Sequence, residues 1–241
     1  MGNQTSKKEE IPVAKAVRVT LKSNETKKEL MKKYKERNPE ESVYNTLASN
    51  GSLDELKVVL ADENLDQILN TLWSTGHGYT DRATPLMTAA KYGNLEVVKY
   101  LLSLSETNPA KIDNRGQNAL HHAAFIWTFN IQKRPTIVEL LVQRLGNNIN
   151  IIDKEGFTPL DLAFNDGEVS EGYQYYDKNT IDEGEDTGAQ IRMKIIFWIR
   201  RSGGLANKNK ISRFNKKIGP GSEFEDDSHI PKFQRETDMK F

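Results

Sequence analysis

Three stretches of this 241-residue chain hold residue types that could do chemistry. The N-terminus reads Met1-Gly2-Asn3-Gln4-Thr5-Ser6, which matches M-G-x-x-x-[S/T], the pattern for transfer of a myristoyl group to a glycine amine after Met1 is removed. Gly2 is the expected lipidation site, with Lys7 and Lys8 behind it as basic support. The second stretch is His121-His122. Adjacent residues on a helix point to different sides, so these two imidazoles cannot share a metal ion by themselves. The third is an acidic stretch: nine acids and one lysine lie between Asp161 and Gln190. Its Asp177, Asn179, Asp182, Glu183, Glu185 and Asp186 do not follow the D-x-[DN]-x-[DN]-G spacing of a calcium loop, so a solvated acidic loop is expected, with Tyr173, Tyr175 and Tyr176 as possible anchors.

Catalytic signatures are missing. No G-x-S-x-G, P-loop, H-E-x-x-H or Gly-rich dinucleotide loop occurs, so no catalytic residue, metal site or cofactor is implied and an enzyme is not expected. The 34 basic and 34 acidic residues cancel, which argues against specific nucleic-acid binding. With no cysteine, disulfides, thiol catalysis and S-palmitoylation are excluded, which fits a reducing compartment. No apolar run approaches the roughly 18 residues of a transmembrane helix, and no signal-peptide core follows Met1. A cytoplasmic location, membrane-associated if Gly2 is acylated, is the expectation.

The elements that must position any site are read from Thr84 to Leu102. Thr84 suits a helix N-cap and Pro85 the first helical position, where its missing N–H costs nothing. Leu86, Ala89 and Ala90 fall at helical spacing, Gly93 breaks the run, and Val97, Val98, Leu101 and Leu102 form a second apolar face. Further copies follow in Asn118 to Ala124 with Ile137 to Val142, and in Thr158 to Ala163 with Ile195 to Ile199. A degraded first copy holds Leu47, Ala48, Gly51, Leu53, Leu56, Val59 and Leu60. The pattern closely resembles the ankyrin repeat, T-P-L-H-x-A-A, a glycine turn, then V-V-x-x-L-L. That resemblance covers roughly Val43 to Gly204 and implies an all-α solenoid of about four helix-turn-helix units with β-hairpin linkers. Residues 1–42 form an N-terminal region, 43–204 the repeat domain, and 205–241 a tail.

Starts at Thr84, Asn118 and Thr158 lie 34 and 40 residues apart (118 − 84; 158 − 118), against about 33 for the family, so insertions are expected in the first, third and last repeats. After Leu60, the residues Leu65, Ile68, Leu69, Leu72 and Trp73 predict an amphipathic helix. The stretch Phe125 to Pro135 sets Phe125, Ile126, Trp127, Phe129 and Ile131 where a polar turn is usual, and Asp166 to Gly188 separates the last two helices. Asp113-Asn114-Arg115-Gly116 and Asp153-Lys154-Glu155-Gly156 predict type I turns, whereas the linker before Thr84 lacks the pattern and predicts an irregular hairpin.

The resemblance implies binding of another protein through hairpin tips and the concave helical face. On that basis the partner-binding residues are Lys91, Tyr92, Asn114, Arg115, His122, Phe125, Trp127, Lys154 and Glu155, and the chain is expected to be a monomer. His121, at the family's T-P-L-H histidine, is expected to be a structural hydrogen-bonding post. Upstream, Asn24 predicts a helix through about Arg37, with a Leu30, Met31 and Tyr34 stripe among Lys27, Lys28, Lys32, Lys33 and Lys35. That helix suits either an anionic membrane surface or a cap on the first repeat. Asn38-Pro39-Glu40-Glu41 predicts the start of the first repeat helix. The last helix, apolar on several sides, needs a cover at the end of a solenoid, and the tail after Gly204, with Lys208, Lys210, Arg213, Lys216 and Lys217, is the candidate.

Overall fold

The computed structural model describes residues 26–61, 63–75, 82–125, 130–164 and 188–207. Gly2, Lys7, Lys8, Trp127, nearly all of the acidic insertion and the tail from residue 208 lie outside them.

Four helix pairs stack side by side. They are α2 (Val43–Asn50) with α3 (Leu53–Leu60), α5 (Pro85–Tyr92) with α6 (Leu95–Ser103), α7 (Ala119–Ala124) with α8 (Arg134–Leu145), and α9 (Pro159–Phe164) with α10 (Gly188–Arg201). Inner helices α2, α5, α7 and α9 pack in that order, while α3, α6, α8 and α10 form the second layer. The apolar periodicity explains the arrangement: Leu47, Leu56, Leu101, Leu120, Ile137, Leu141, Ile191, Ile195 and Ile199 are fully buried and run through all four pairs. Each such side chain contributes about 1.5–3 kcal/mol relative to exposure. Small Ala89, Ala90, Ala119, Ala123 and Ala124 are buried where the inner helices meet, which lets their backbones approach. The insertions fall between the first and second pairs and within the third and fourth.

Helix starts follow local chemistry. The Thr84 hydroxyl accepts the Met87 N–H at 3.2 Å, and Pro85 follows at the first position. Asn118 accepts the N–H groups of Leu120 and His121, both at 3.1 Å.

Several expectations are corrected. Asn38-Pro39 does not open the first repeat helix; α1 (26–37) ends there, a turn follows, and α2 starts at Val43 after Ser42. Pro39 disfavours helical backbone at Asn38, and the Glu41 N–H bonds back to the Asn38 carbonyl at 3.2 Å. The helix predicted through Trp73 is shorter: α4 (Leu65–Asn70) ends before Leu72, and the Trp73 indole N–H closes the Ile68 carbonyl at 2.9 Å. Trp73 itself enters a strand. Most of the hairpin expected to be irregular, residues 76–81, lies outside the described residues; on either side of it β1 (Trp73–Ser74) pairs antiparallel with β2 (Arg82–Ala83). The buried Asn45 amide supports both strands through the Trp73 and Ala83 carbonyls, at 3.2 and 3.1 Å.

The basic helix α1 is a cap on the first repeat. Tyr34 is buried, with Leu30 and Met31 packed against the core, and the Tyr34 hydroxyl donates to Glu55. Lys27 does not face outward as a membrane contact: its ammonium donates to the Ala61 carbonyl at 2.7 Å and pairs with Glu63 at 2.7 Å. Lys33 lies 3.5 Å from Glu55. Lys28, Lys32 and Lys35 are exposed.

At the other end, the start of the tail folds back over the last repeat. The Gly204 N–H bonds to the Ile199 carbonyl at 2.8 Å. Asn207 then donates its backbone N–H to the Asp161 carboxylate at 3.0 and 3.1 Å and its amide to the Gly156 carbonyl at 2.8 Å. Of the expected cover, 205–241, only residues 205–207 are described.

Candidate partner-binding face

Two hairpin turns are built by the same residues. Asp113 opens the first: its carboxylate accepts the N–H groups of Arg115 at 2.8 Å and Gln117 at 2.9 Å, and its carbonyl accepts Gly116 N–H at 3.0 Å. Asp153 repeats this with Glu155 at 3.0 Å, Phe157 at 2.8 Å and Gly156 at 2.9 Å. The turns are locked together by Lys154 N–H to the Arg115 carbonyl at 2.8 Å and by Gln117 to the Asp153 carboxylate at 2.7 Å. Gly116 has φ +80°, and a Cβ there would sit 3.3 Å from the Lys154 nitrogen, so close stacking requires glycine. These locks hold Asn114, Arg115, Lys154 and Glu155 at exposed, fixed tips.

Behind the tips, Lys91 and Tyr92 from α5 and His122 from α7 line one shallow depression with Glu41, Thr75 and Met87. His122 Nε2 lies 2.9 Å from Asp113 Oδ2, tying the helical wall to the hairpin. Burial alone would raise the Asp113 carboxyl, but the His122 hydrogen bond and charge, with the Gln117 and Arg115 N–H groups, outweigh it and hold it below its ordinary value. Phe125 is half-buried at the end of α7. The apolar insertion is described only in part: Phe125 and Ile131 are partly covered, and 126–129 lie outside the described residues.

His121 is fully buried and acts as the expected post: Nδ1 lies 3.2 Å from the Asn118 N–H and Nε2 3.3 Å from the Phe157 carbonyl. The tautomer protonated on Nε2 serves these two contacts and leaves Nδ1 facing the Asn118 Oδ1 at 2.8 Å. Burial drives its pKa down to about 4, so it is neutral at pH 7.

Two features escaped the sequence reading. Arg134 is fully buried, donating to the carbonyls of His122 (3.3 Å), Ala123 (3.2 Å) and Phe125 (2.8 Å) and to that of Lys91. It closes the carboxyl ends of α7 and α5 together, a long-range role with no local signal. Ile112 and Ile152, 45% and 56% exposed, precede Asp113 and Asp153 at equivalent hairpin positions. That signal was legible, since Ile-Asp opens both turns. Among the described residues no group of three or more His, Asp and Glu side chains is placed to hold a metal, and no helix is long and apolar enough to cross a membrane.

The comparison with known families agrees with this geometry. A family model described as ankyrin repeats (3 copies) matches residues 44–130, and one described as ankyrin repeat matches residues 115–154. Ankyrin repeats are generally protein-interaction modules, not enzymes. The matched segments cover the first three stacked pairs and the turn at Asp113 to Gly116, so residues 44–154 carry ankyrin repeats.

Proposed function

We propose that this protein is an interaction adaptor that binds another protein through its hairpin tips and the adjoining depression, and that a myristoyl group on Gly2 holds it at the cytoplasmic face of a membrane. The observation that carries the partner reading is the lock between the two hairpins. Backbone already fixed by these bonds need not be ordered on binding, so the tips that carry Asn114, Arg115, Lys154 and Glu155, backed by Lys91, Tyr92 and His122, form a surface with pre-organised backbone. Capture of partners from cell extract by the wild-type chain, set against a variant with Arg115→Ala and Lys154→Ala, tests it; equal capture by both would place the partner elsewhere.

The membrane reading is supported by the Gly2 pattern and by arithmetic. A myristoyl chain alone gives an association constant of about 10⁴ M⁻¹, so a second signal is needed for firm attachment. Lys7, Lys8, Lys28, Lys32 and Lys35 remain as candidates, each worth about 1 kcal/mol near an anionic surface, while Lys27 and Lys33 are engaged within the domain. A second reading, a soluble cytosolic or nuclear regulator, is favoured by the use of the Leu30, Met31 and Tyr34 stripe as cover for the first repeat. Intact mass and fractionation of wild type and Gly2→Ala separate the two. Acylated protein that becomes soluble on substitution supports the membrane reading, and an unmodified Gly2 ends it.

A further inference from the structure

Three large apolar side chains are exposed among the described residues, Ile112, Ile152 and Leu205, and all lie along one edge of the stack. Single exposed side chains are ordinary on a protein surface, but these recur once per layer. Ile112 and Ile152 each stand one residue before the aspartate that opens a turn, and the Asp113 and Asp153 N–H groups close those turns on the Gln117 and Phe157 carbonyls at 2.9 Å. The start of the tail supplies the next layer. The Leu205 N–H donates to Asn150 Oδ1 at 2.7 Å and the Asn207 amide to the Gly156 carbonyl at 2.8 Å, which lays residues 205–207 beside the second hairpin.

The edge is basic as well as apolar. Along residues 110–117 and 150–157, Lys111, Arg115 and Lys154 stand against one exposed acid, Glu155. Asp113 and Asp153 are buried, and their carboxylates are taken up by the N–H groups of the turns. Among the described residues, the side-chain cations of Lys111, Arg115 and Lys154 make no hydrogen bond or ion pair. A second copy of the chain does not suit such a surface. Pairing edge to edge would set these cations against each other, and the described residues offer no other exposed large apolar side chain to fit it.

Spacing selects the form of the partner. Packed helices lie about 8–10 Å apart, and the hairpins they carry, bonded to one another, advance by the same step. Residues seven apart on an α-helix return to nearly the same face after about 10.5 Å. An extended strand repeats on one face every 6.6–6.8 Å or so and falls out of step. A polyproline helix, at about 9.3 Å per three residues, also keeps step, but the grooves that read it are lined with aromatic rings and this edge is aliphatic.

We propose that the Ile112–Ile152–Leu205 edge docks an acidic amphipathic helix of the partner protein, with an apolar residue at every seventh position. The proposal rests on the reading that a partner binds at the hairpins, and it names what that partner presents. Apolar residues on one face of the helix meet one isoleucine or leucine per layer, and carboxylates beside them meet Lys111, Arg115 and Lys154.

The probe is a dye-labelled helical peptide with three leucines at seven-residue spacing among Glu, Gln and Ala, titrated against the full chain by fluorescence anisotropy. Two controls keep its charge: one scatters the leucines around the helix, and one is proline-rich with leucine at every third residue. The expected result is that the probe binds about tenfold or more tighter than either control, and that Ile112→Ser with Ile152→Ser removes that margin, while Leu205→Ser weakens binding about threefold. Arg115→Glu with Lys154→Glu weakens it too, and a probe with Lys in place of Glu restores it. Exposed side chains should leave the unfolding midpoints unchanged, and the reciprocal charge rescue excludes misfolding independently. The proposal is overturned by no binding up to about 1 mM, by binding indifferent to the isoleucines, or by tighter binding of the proline-rich peptide. A dimer in sedimentation that Ile112→Ser with Ile152→Ser dissolves also overturns it, assigning the edge to a second copy. Failure of the underlying reading looks different. If partner capture from extract is lost with Arg115→Ala and Lys154→Ala but survives loss of both isoleucines, the hairpin reading stands and this proposal alone falls.

Discussion

Where the third repeat meets the fourth, an imidazole reaches a carbonyl; where the fourth meets the chain that leaves it, a carboxylate receives an N–H. His121 spans from the Asn118 N–H to the Phe157 carbonyl of the next repeat. Asp161 holds the same place in its own repeat, accepting the Thr158 N–H and hydroxyl at 2.8 Å each and then the Asn207 N–H. In the second repeat Met87 stands there, its sulfur 3.4 Å from the Thr84 nitrogen. One position is thus matched to what lies beyond it. The third repeat carries a donor for its neighbour's carbonyl and the fourth an acceptor suited to an extended segment, whereas the second, also followed by a repeat, carries a thioether that only accepts. Terminal repeats of a solenoid depart from the regular pattern because their outer face has no identical neighbour.

Exchanging the two chemistries breaks the comparison most severely. His121→Asp sets a buried carboxylate against the Phe157 carbonyl, acceptor against acceptor, and is expected to cost about 3 kcal/mol or more of stability in urea denaturation. A smaller loss would mean that the joint relaxes and the donor is dispensable.

Acid separates the same two sites without mutation. His121 binds its proton less readily folded than unfolded, with a pKa of about 4 against 6.5. The unfolded chain therefore takes up more protons between those values, and stability rises with pH across that window. It is fully present above about pH 6.5 and falls by about 3 kcal/mol as pH drops through 4. Asp113, depressed in the fold, adds a loss in the same direction at lower pH, as its carboxyl is protonated. His121→Gln keeps an amide donor but does not titrate, so its stability should be flat between pH 6.5 and 5.

At the end joint, Gly204→Ala tests the tail's return. A Cβ there would lie 2.2 Å from Ile199 Cγ2 and 2.6 Å from its carbonyl oxygen, so backbone must move. The expected cost is about 1–3 kcal/mol, accompanied by faster amide exchange at Asn207. Asp161→Asn keeps the shape and removes the charge that strengthens the Asn207 bond, for about 1–2 kcal/mol. Thermal midpoints order the two, and a larger loss for Asp161→Asn would make the carboxylate, not the turn at Gly204, the anchor.

Sequence alone carried much of this, and its failures have physical causes. Repeats two to four were legible because Thr84-Pro85, Asn118 and Thr158-Pro159 are local caps beside apolar residues at helical spacing. Turn geometry was legible because one Asp and one Gly specify it. The start of repeat one was misplaced because Asn-Pro followed by acids serves equally to end one helix and to begin another, and only the packing of α1 decides. Leu72 and Trp73 continue a helical spacing, yet the Asn45 amide holds the Trp73 carbonyl and draws that backbone into a ladder. Lys27 read as solvent-facing because nothing local reveals that Ala61 and Glu63 stand beside it. Arg134 is the extreme case, since its partners come from two helices and no nearby residue announces them.

The smallest effect on folding is expected where the interaction surface lies. Arg115→Ala with Lys154→Ala removes exposed side chains but leaves the Lys154 N–H to Arg115 carbonyl bond intact, so stability should change by less than about 0.5 kcal/mol. Partner capture, in contrast, should fall about tenfold or more if either side chain is a hot spot, which corresponds to about 1.4 kcal/mol. Gly116→Ala is the companion variant. It keeps every charge but strains a φ of +80° and presses a Cβ to 3.3 Å from the Lys154 nitrogen, shifting one tip against the other. If the fixed spacing of the tips matters, Gly116→Ala weakens capture although both Arg115 and Lys154 remain; if only their charges matter, it does not. Retained capture in both variants, with folding intact, would move the partner from the tips to the depression lined by Lys91, Tyr92 and His122.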